Sequence, residues 1–501
     1  MAMEPSTPEV DRTATTDAST SDGFRGRIAR GFAWEGLSKL SVQVFSWVST
    51  VWVARLLSPD DYGLVATSGL FTGAMSILMD FGLGAGVVTS KTVNERQLTQ
   101  CFWLNVSMGM ALWALLFVMA PFIASAYQLP QLTNILRVAG LGLPIGAWRN
   151  IPLGVQLRAL NYRYRALVEM SGQFVQGALV ITLALGGFGA WSLVIGYLCG
   201  QLFTTVAFSV RGPKIGAPVF STAGIEGILR FGVRITGARA LGFAVSSSDM
   251  MMITSLLGAR AAGVYTVSFN LASAPLDKIG AIFNRVAYPA IARMNDDAEK
   301  ARRFLLDLHF ALLAVASPAL VGAALAAPDL IAVLLTAKWS VAVPVLQVIC
   351  IANIVRLSGM LMPVILEARG RAGLVLRFQI VSALLMPLGF FVGSHWGLIG
   401  MTYVWLVVYP IIYAWLLRLV LRELAMRIRD LLRSVLPVLL SNVAMALAVL
   451  AVRQFAVNYD HLARLGITIG TGVATYAACM ALVVPRSFWN EIRSAAASLR
   501  K

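Results

Sequence analysis

Residues 343–367 read VPVLQVICIANIVRLSGMLMPVILE. A helix that crosses a bilayer needs about 20 mostly apolar residues. This stretch supplies 25, with one cation at mid-span, Arg356, and no acid within a turn of it. A charge at that depth costs roughly 2.5–3.5 kcal/mol or more, so it faces protein or a water-filled cavity rather than acyl chains. A spanning helix with a buried cation is the pattern that organises the rest of the chain.

The 501 residues are 58% hydrophobic and only 13% charged, against about 45–50% and about 25% in soluble domains. Mean hydropathy is +0.75. These values exclude an ordinary cytosolic enzyme. Scanning outward from 343–367 gives fourteen spans, the first at 31–54 and the last at 465–484. The expected fold is an all-α polytopic membrane protein. Residues 1–27 are rich in Ser, Thr and Asp, carry no apolar run, and read as a disordered cytoplasmic tail without a secretory signal. The four cysteines sit singly in apolar stretches, without disulfide or metal spacing, and read as packing residues.

The positive-inside rule tests the count. With both termini cytoplasmic, 27 Lys and Arg fall in the cytoplasmic segments. Only Arg55, Arg260, Lys338 and Arg464 fall opposite. The formal net charge of +17 is therefore mostly topology, and no nucleic-acid partner is expected. Ten cations remain inside spans: Lys39, Arg137, Arg149, Arg234, Arg239, Lys278, Arg285, Arg356, Arg377 and Arg453. Acids in spans include Glu35, Asp80, Glu169, Asp249, Asp277 and Glu367.

An offset of 200 residues places Arg30 on Arg230, Lys39 on Arg239, Ser46 on Ser246, Leu56-Leu57 on Leu256-Leu257, Gly63 on Gly263 and Ser68 on Ser268. Six helices separate the copies. An even number gives both the same orientation, so two pseudo-symmetric six-helix lobes should be related by an axis along the membrane normal. The expected organisation is an N-lobe at 28–210, a C-lobe at 211–417, an amphipathic connector and two extra helices at 418–484, and a cytoplasmic tail at 485–501. In the connector, Arg422, Arg429 and Arg433 fall seven and four residues apart, on one helical face suited to anionic membrane lipid.

Specific motifs carry a family resemblance. Ala54-Arg55-Leu56-Leu57-Ser58-Pro59-Asp60-Asp61-Tyr62-Gly63 follows the first span. Asp80-Phe81-Gly82-Leu83-Gly84 and Gln156-Leu157-Arg158-Ala159-Leu160-Asn161-Tyr162-Arg163 come next. The second half has Ser248-Asp249 and Leu256-Leu257-Gly258 before Gly263-Val264-Tyr265. Over about residues 28–417 the chain resembles the polysaccharide transporter family, the Wzx-type flippases of the multidrug/oligosaccharidyl-lipid/polysaccharide (MOP) exporter superfamily. It is most similar to the exopolysaccharide and colanic-acid-type branch. The resemblance implies two six-helix lobes around a cationic cavity. It also implies transfer of an undecaprenyl-pyrophosphate-linked oligosaccharide between leaflets of the bacterial inner membrane, in company with polymerase or export machinery.

A polyanionic head cannot cross hydrocarbon unaided. Arg and Lys in a cavity replace its hydration with charge-assisted hydrogen bonds, and Arg can grip phosphate with two donors. The candidate substrate residues are Lys39 and Arg239, equivalent in the two copies, with Arg149, Arg234, Lys278, Arg285 and Arg356. Arg137, Arg377 and Arg453 read as interfacial anchors. If protons or sodium drive the cycle, the candidate coupling or gating carboxylates are Asp80, Glu169, Asp249 and Asp277. No phosphate-binding loop, metal spacing or large catalytic loop is present, so no cofactor and no enzyme activity are expected. The alternative, a cation-coupled multidrug exporter of the same superfamily, calls for an excess of buried acids. The excess of cations over acids in the spans favours an anionic cargo.

Overall fold

The computed structural model describes residue 45 and residues 48–89, 94–159, 161–219, 225–294 and 297–483. Lys39 lies outside the described residues. So do the side chains of Arg234, Asp277, Lys278 and Arg285, although their backbones are helical. Residues 48–56 form a helical segment. The first half continues through α1 (Pro59–Asp80), α2 (Leu83–Thr89), α3 (Glu95–Ala126), α4 (Leu132–Ala139), α5 (Gly142–Arg158), α6 (Tyr162–Leu185) and α7 (Ala190–Val210). The second half contains α8 (Glu226–Ser246), α9 (Ser248–Arg293), α10 (Ala298–Leu334), α11 (Ala342–Ala368), α12 (Ala372–Gly393) and α13 (Gly397–Glu423). Two further helices follow, α14 (Ile428–Phe455) and α15 (His461–Val483). No strand occurs among the described residues.

Ten stretches among the described residues are long and apolar enough to cross a membrane. The expected count of fourteen is not reached by this measure, for identifiable reasons. Most of 31–54 lies outside the described residues. The pair α4 and α5 breaks at Gly140, leaving pieces of 8 and 17 residues. The charged helix α8 does not qualify. Ala372–Glu423 is one continuous apolar stretch, although a 3-10 turn at Ser394–Trp396 divides it into α12 and α13.

The quoted Leu-Leu-Ser-Pro-Asp-Asp motif is a helix start. The Ser58 hydroxyl accepts from the Asp61 N–H at 3.2 Å, and the Asp61 carboxylate accepts from the Ser58 N–H at 3.0 Å. This reciprocal pair satisfies two amide donors that no helical carbonyl can reach. The second Asp61 oxygen accepts from the Ala190 N–H at 2.9 Å, tying the start of α1 to the start of α7.

The two halves meet at both ends of α1. Near its start, a Cβ on Gly63 would lie 1.7 Å from the Ala259 carbonyl oxygen, and one on Gly263 would lie 1.8 Å from the Pro59 carbonyl oxygen. These four positions are two pairs at the 200-residue offset, and the contact is reciprocal. The offset also maps Ser58 onto Gly258, where α9 breaks at φ 80. At the same end Arg55 donates to the carbonyls of Leu334 (3.0 Å) and Val333. Lys338 Nζ donates to the Arg55 carbonyl at 2.7 Å, and Trp339 Nε1 to the Ala54 carbonyl at 2.8 Å. Partial burial pulls the Lys338 ammonium below its usual pKa, offset in part by the Asp61 charge. At the Arg158 end, the Phe81–Gly82 turn presses on α8: a Cβ on Gly232 would lie 2.0 Å from the Phe81 carbonyl oxygen.

The last two helices dock on α10. Asp329, fully buried, meets Arg453 at 2.7 Å, His461 at 2.8 Å and Arg464 at 3.5 Å. Removing a partner from such a buried carboxylate costs about 3–5 kcal/mol. Arg453, expected as an interfacial anchor, is thus an ion-pair partner. Arg302 and Asp430 close the opposite end at 2.8 Å. The segment expected as an amphipathic connector is not a separate helix. α13 runs to Glu423, the chain turns through Ala425 at φ 48, and α14 starts at Ile428. Arg422 therefore lies on one helix and Arg429 and Arg433 on another.

Candidate functional site

A cavity of about 540 Å³ opens inside the first half, between α1, α5 and α7. Glycines make the room: Gly69, Gly73, Gly142 and Gly146 line it, and a Cβ on Gly69 would meet nothing within 4 Å. Polar groups then converge. Ser68, Thr72, Ser76 and Asp80 come from one side of α1. Arg149 and Asn150 come from α5, and Tyr197 and Gln201 from α7. Thr72 and Ser76 donate back to carbonyls of their own helix, Ser68 at 3.0 Å and Gly73 at 2.8 Å. They soften the wall without leaving unpaired donors.

The charged groups are held from several directions. Asp80 accepts from Asn150 Nδ2 at 2.7 Å on one oxygen and from Arg239 Nη1 at 2.6 Å on the other. Arg239 arrives from α8, in the opposite half of the chain. The Phe243 ring, one turn further along α8, packs over Gly73 on the cavity wall. Arg149 donates to the Thr204 hydroxyl at 3.1 Å. Glu169 is close enough for its charge to act on Arg149, but it is also bonded to Arg165 at 2.7 Å, one turn earlier on α6. The cavity thus offers one guanidinium, Arg149, held by a neutral hydroxyl, and a carboxylate, Asp80, that holds a second guanidinium from the other half.

The second half handles its charges differently. The Arg356 guanidinium lies 4.6 Å from the Trp405 ring centroid and 5.0 Å from that of Phe269. It donates to Asn353 at 2.7 Å, and Asn353 donates in turn to Ser273 at 3.3 Å. Asp249 is buried and accepts from the Tyr265 hydroxyl at 2.5 Å and from the Met250 N–H at 2.7 Å. Trp405 Nε1 donates to the Tyr265 oxygen at 3.0 Å, joining the two charges into one network.

The structure therefore places Asp80 and Arg149 on one cavity, bonds Arg239 to Asp80, pairs Glu169 with Arg165, and gathers Arg356 and Asp249 into a separate cluster. Arg137, read as an anchor, lies over the Phe117 ring at 4.5 Å. Sequence reasoning passed over Asn150, Thr204, Tyr197 and Gln201, because an uncharged polar residue in a long helix carries no distinguishing pattern. Among the described residues no group of three His, Cys, Asp or Glu could hold a metal ion.

A helical bundle with ten stretches among the described residues apolar enough to span a membrane, in two halves that meet at small residues and with an arginine on the wall of a cavity, defines the class as a polytopic membrane protein. The family model described as polysaccharide biosynthesis protein matches residues 52–344, more than half of the chain, and the chain belongs to that family. The resemblance carried by Ala54–Gly63 and the later motifs is thereby borne out. Among curated relatives, the lipopolysaccharide biosynthesis protein WzxC of Escherichia coli K12 is 26% identical over 395 residues, covering 77% of this chain and 79% of that one. The teichuronic acid biosynthesis protein TuaB of Bacillus subtilis is 25% identical over 480 residues, covering 92% and 96%. Among solved structures, the lipid II flippase MurJ in an inward closed conformation superposes with a TM-score of 0.66 at 12% identity. The match covers 91% of this chain and 99% of that one, and it shows a shared fold.

Proposed function

We propose that the protein is a flippase. It moves undecaprenyl-pyrophosphate-linked oligosaccharide repeat units across the bacterial inner membrane by alternating access, supplying exopolysaccharide or O-antigen-type biosynthesis. The observation that carries the reading is the Arg149 guanidinium on the cavity wall, on the same wall as the Asp80 carboxylate that holds Arg239 of the opposite half of the chain. Its roughly 540 Å³ falls within the range of about 300–1,000 Å³ seen for small-molecule sites. That suits a diphosphate and its first sugar, while the prenyl tail stays in lipid. The family, and relatives named for polysaccharide biosynthesis, support the same cargo. In this reading Arg149 and Arg239 grip the head. Lys39, Arg234, Lys278 and Arg285 extend the cationic path, and Arg356 braces the second half.

The halves act as lobes, 28–210 and 211–417, that rock against each other about the Gly63–Gly263 contact. The segment 418–484 rides on the second lobe through Asp329. Both termini, residues 1–27 and 485–501, face the cytoplasm, and polymerase or export machinery takes up the product on the opposite side after transfer. The contrasting cargo, a drug cation, is disfavoured by the Arg149 guanidinium on the cavity wall.

Deletion of the gene tests the function. The expected result is loss of a surface glycan with accumulation of lipid-linked repeat units inside the cell. An unchanged glycan with increased sensitivity to cationic dyes would replace this reading with drug export.

A further inference from the structure

Asp80 occupies a double position. It lines the cavity beside Arg149 and Asn150, and it holds Arg239 of the other half at 2.6 Å. The next residues, Phe81 and Gly82, press on Gly232, two turns before Arg239 on α8. The ion pair therefore sits where the halves touch at the Arg158 end. The Gly63–Gly263 contact joins them at the other end. With both contacts made, the Arg239 guanidinium is neutralised by a carboxylate of the protein itself.

We infer that Asp80 is a built-in substitute for the cargo's phosphate: it takes Arg239 when the cavity closes without cargo and yields it to an incoming diphosphate. This rests on the proposal that Arg149 and Arg239 receive such a head. A carrier that delivers its cargo must return through a closed form. A charge at membrane depth costs a few kcal/mol even when it is only half covered, so an internal anion eases the return step. A diphosphate carries more charge than a carboxylate and offers paired acceptors that fit the guanidinium fork. It therefore wins the exchange once present. The pair is suited to being broken: its side chains are 51% and 27% exposed, and ion pairs so placed contribute little. Asn150, bonded to the other oxygen at 2.7 Å, keeps the released carboxylate in place.

A fixed structural tie and an exchangeable one predict different results for Asp80→Asn. Removing a tie weakens fold and binding together. Removing a competitor tightens binding while slowing return. The test uses full-length protein in nanodiscs titrated with farnesyl pyrophosphate, with farnesol as the uncharged control. Surface glycan and membrane abundance are measured in a deletion strain carrying the same variants. Asp80→Asn should bind farnesyl pyrophosphate about two- to fivefold more tightly and yield less glycan at unchanged abundance. Asp80→Glu should restore both values. Should Asp80→Asn fail to accumulate, Asp80→Ser is read in the same way. Affinity unchanged or weakened in the neutral variant, while Arg149→Ala and Arg239→Ala each lose binding, overturns the exchange and leaves the receiving site standing. Unchanged binding in both arginine variants removes the site and the exchange with it.

Discussion

Arg149 and Arg356 are the same residue type, each deep in an apolar helix, yet the two halves treat them oppositely. Arg149 projects into open volume and spends one donor on the neutral Thr204 hydroxyl. Arg356 lies close to the rings of Trp405 and Phe269 and is bonded to a buried asparagine. A guanidinium against aromatic faces gains about 0.5–2 kcal/mol from the contact and has little freedom to meet a ligand. One arginine is kept available and the other is used to hold α9, α11 and α13 together. Depth and charge alone do not make a ligand-binding arginine; the number of donors left uncommitted does.

Substitutions on each side can break that contrast. The largest effect is expected from Arg149→Ala combined with Arg239→Ala. Hydrogen bonds to charged groups are worth about 1.5–3 kcal/mol each, so affinity for farnesyl pyrophosphate should fall by about 100-fold or more. Arg356→Ala should leave that affinity within about twofold, and comparable losses at both sites would erase the distinction. Asp249→Ala comes next, with a readout in stability. It removes the buried acceptor of Tyr265 at a cost of about 1–3 kcal/mol. The unfolding temperature in detergent should drop while ligand affinity holds. Arg149→Lys should then reduce glycan export several-fold, because a point charge cannot grip phosphate with a planar fork. Arg356→Lys should cost stability more than export. Thr204→Val is the smallest change. It releases one Arg149 donor and should shift affinity by about two- to threefold in either direction, the low end of the range for a net hydrogen bond.

The fold was legible because apolar runs and basic loops announce themselves in any membrane bundle. The identities at Gly63 and Gly263 were visible as a repeat, but their reciprocal contact with Ala259 and Pro59 was not, since close backbone approach depends on how the helices cross. The site was legible in part. Asp80, Arg149 and Arg239 stood out because charge is rare in spans. That Asp80 holds Arg239 was hidden, because sequence reveals an ion pair only within a helical turn, and these residues lie in different halves. The same blindness made Arg453 read as an anchor when Asp329 holds it. The helical face drawn through Arg422, Arg429 and Arg433 ignored the turn at Ala425, where an alanine adopts the left-handed conformation that sequence patterns assign to glycine.

Proteoliposomes give the most direct test of the central claim. Purified protein is reconstituted with a prenyl-pyrophosphate-linked trisaccharide placed in one leaflet, and a lectin outside the vesicle reports sugar that reaches the other. Wild type should expose the trisaccharide, and the Arg149→Ala, Arg239→Ala variant at equal protein density should not. Equal exposure by both, or none by wild type with a cationic dye transported instead, would contradict an anionic head carried by these arginines.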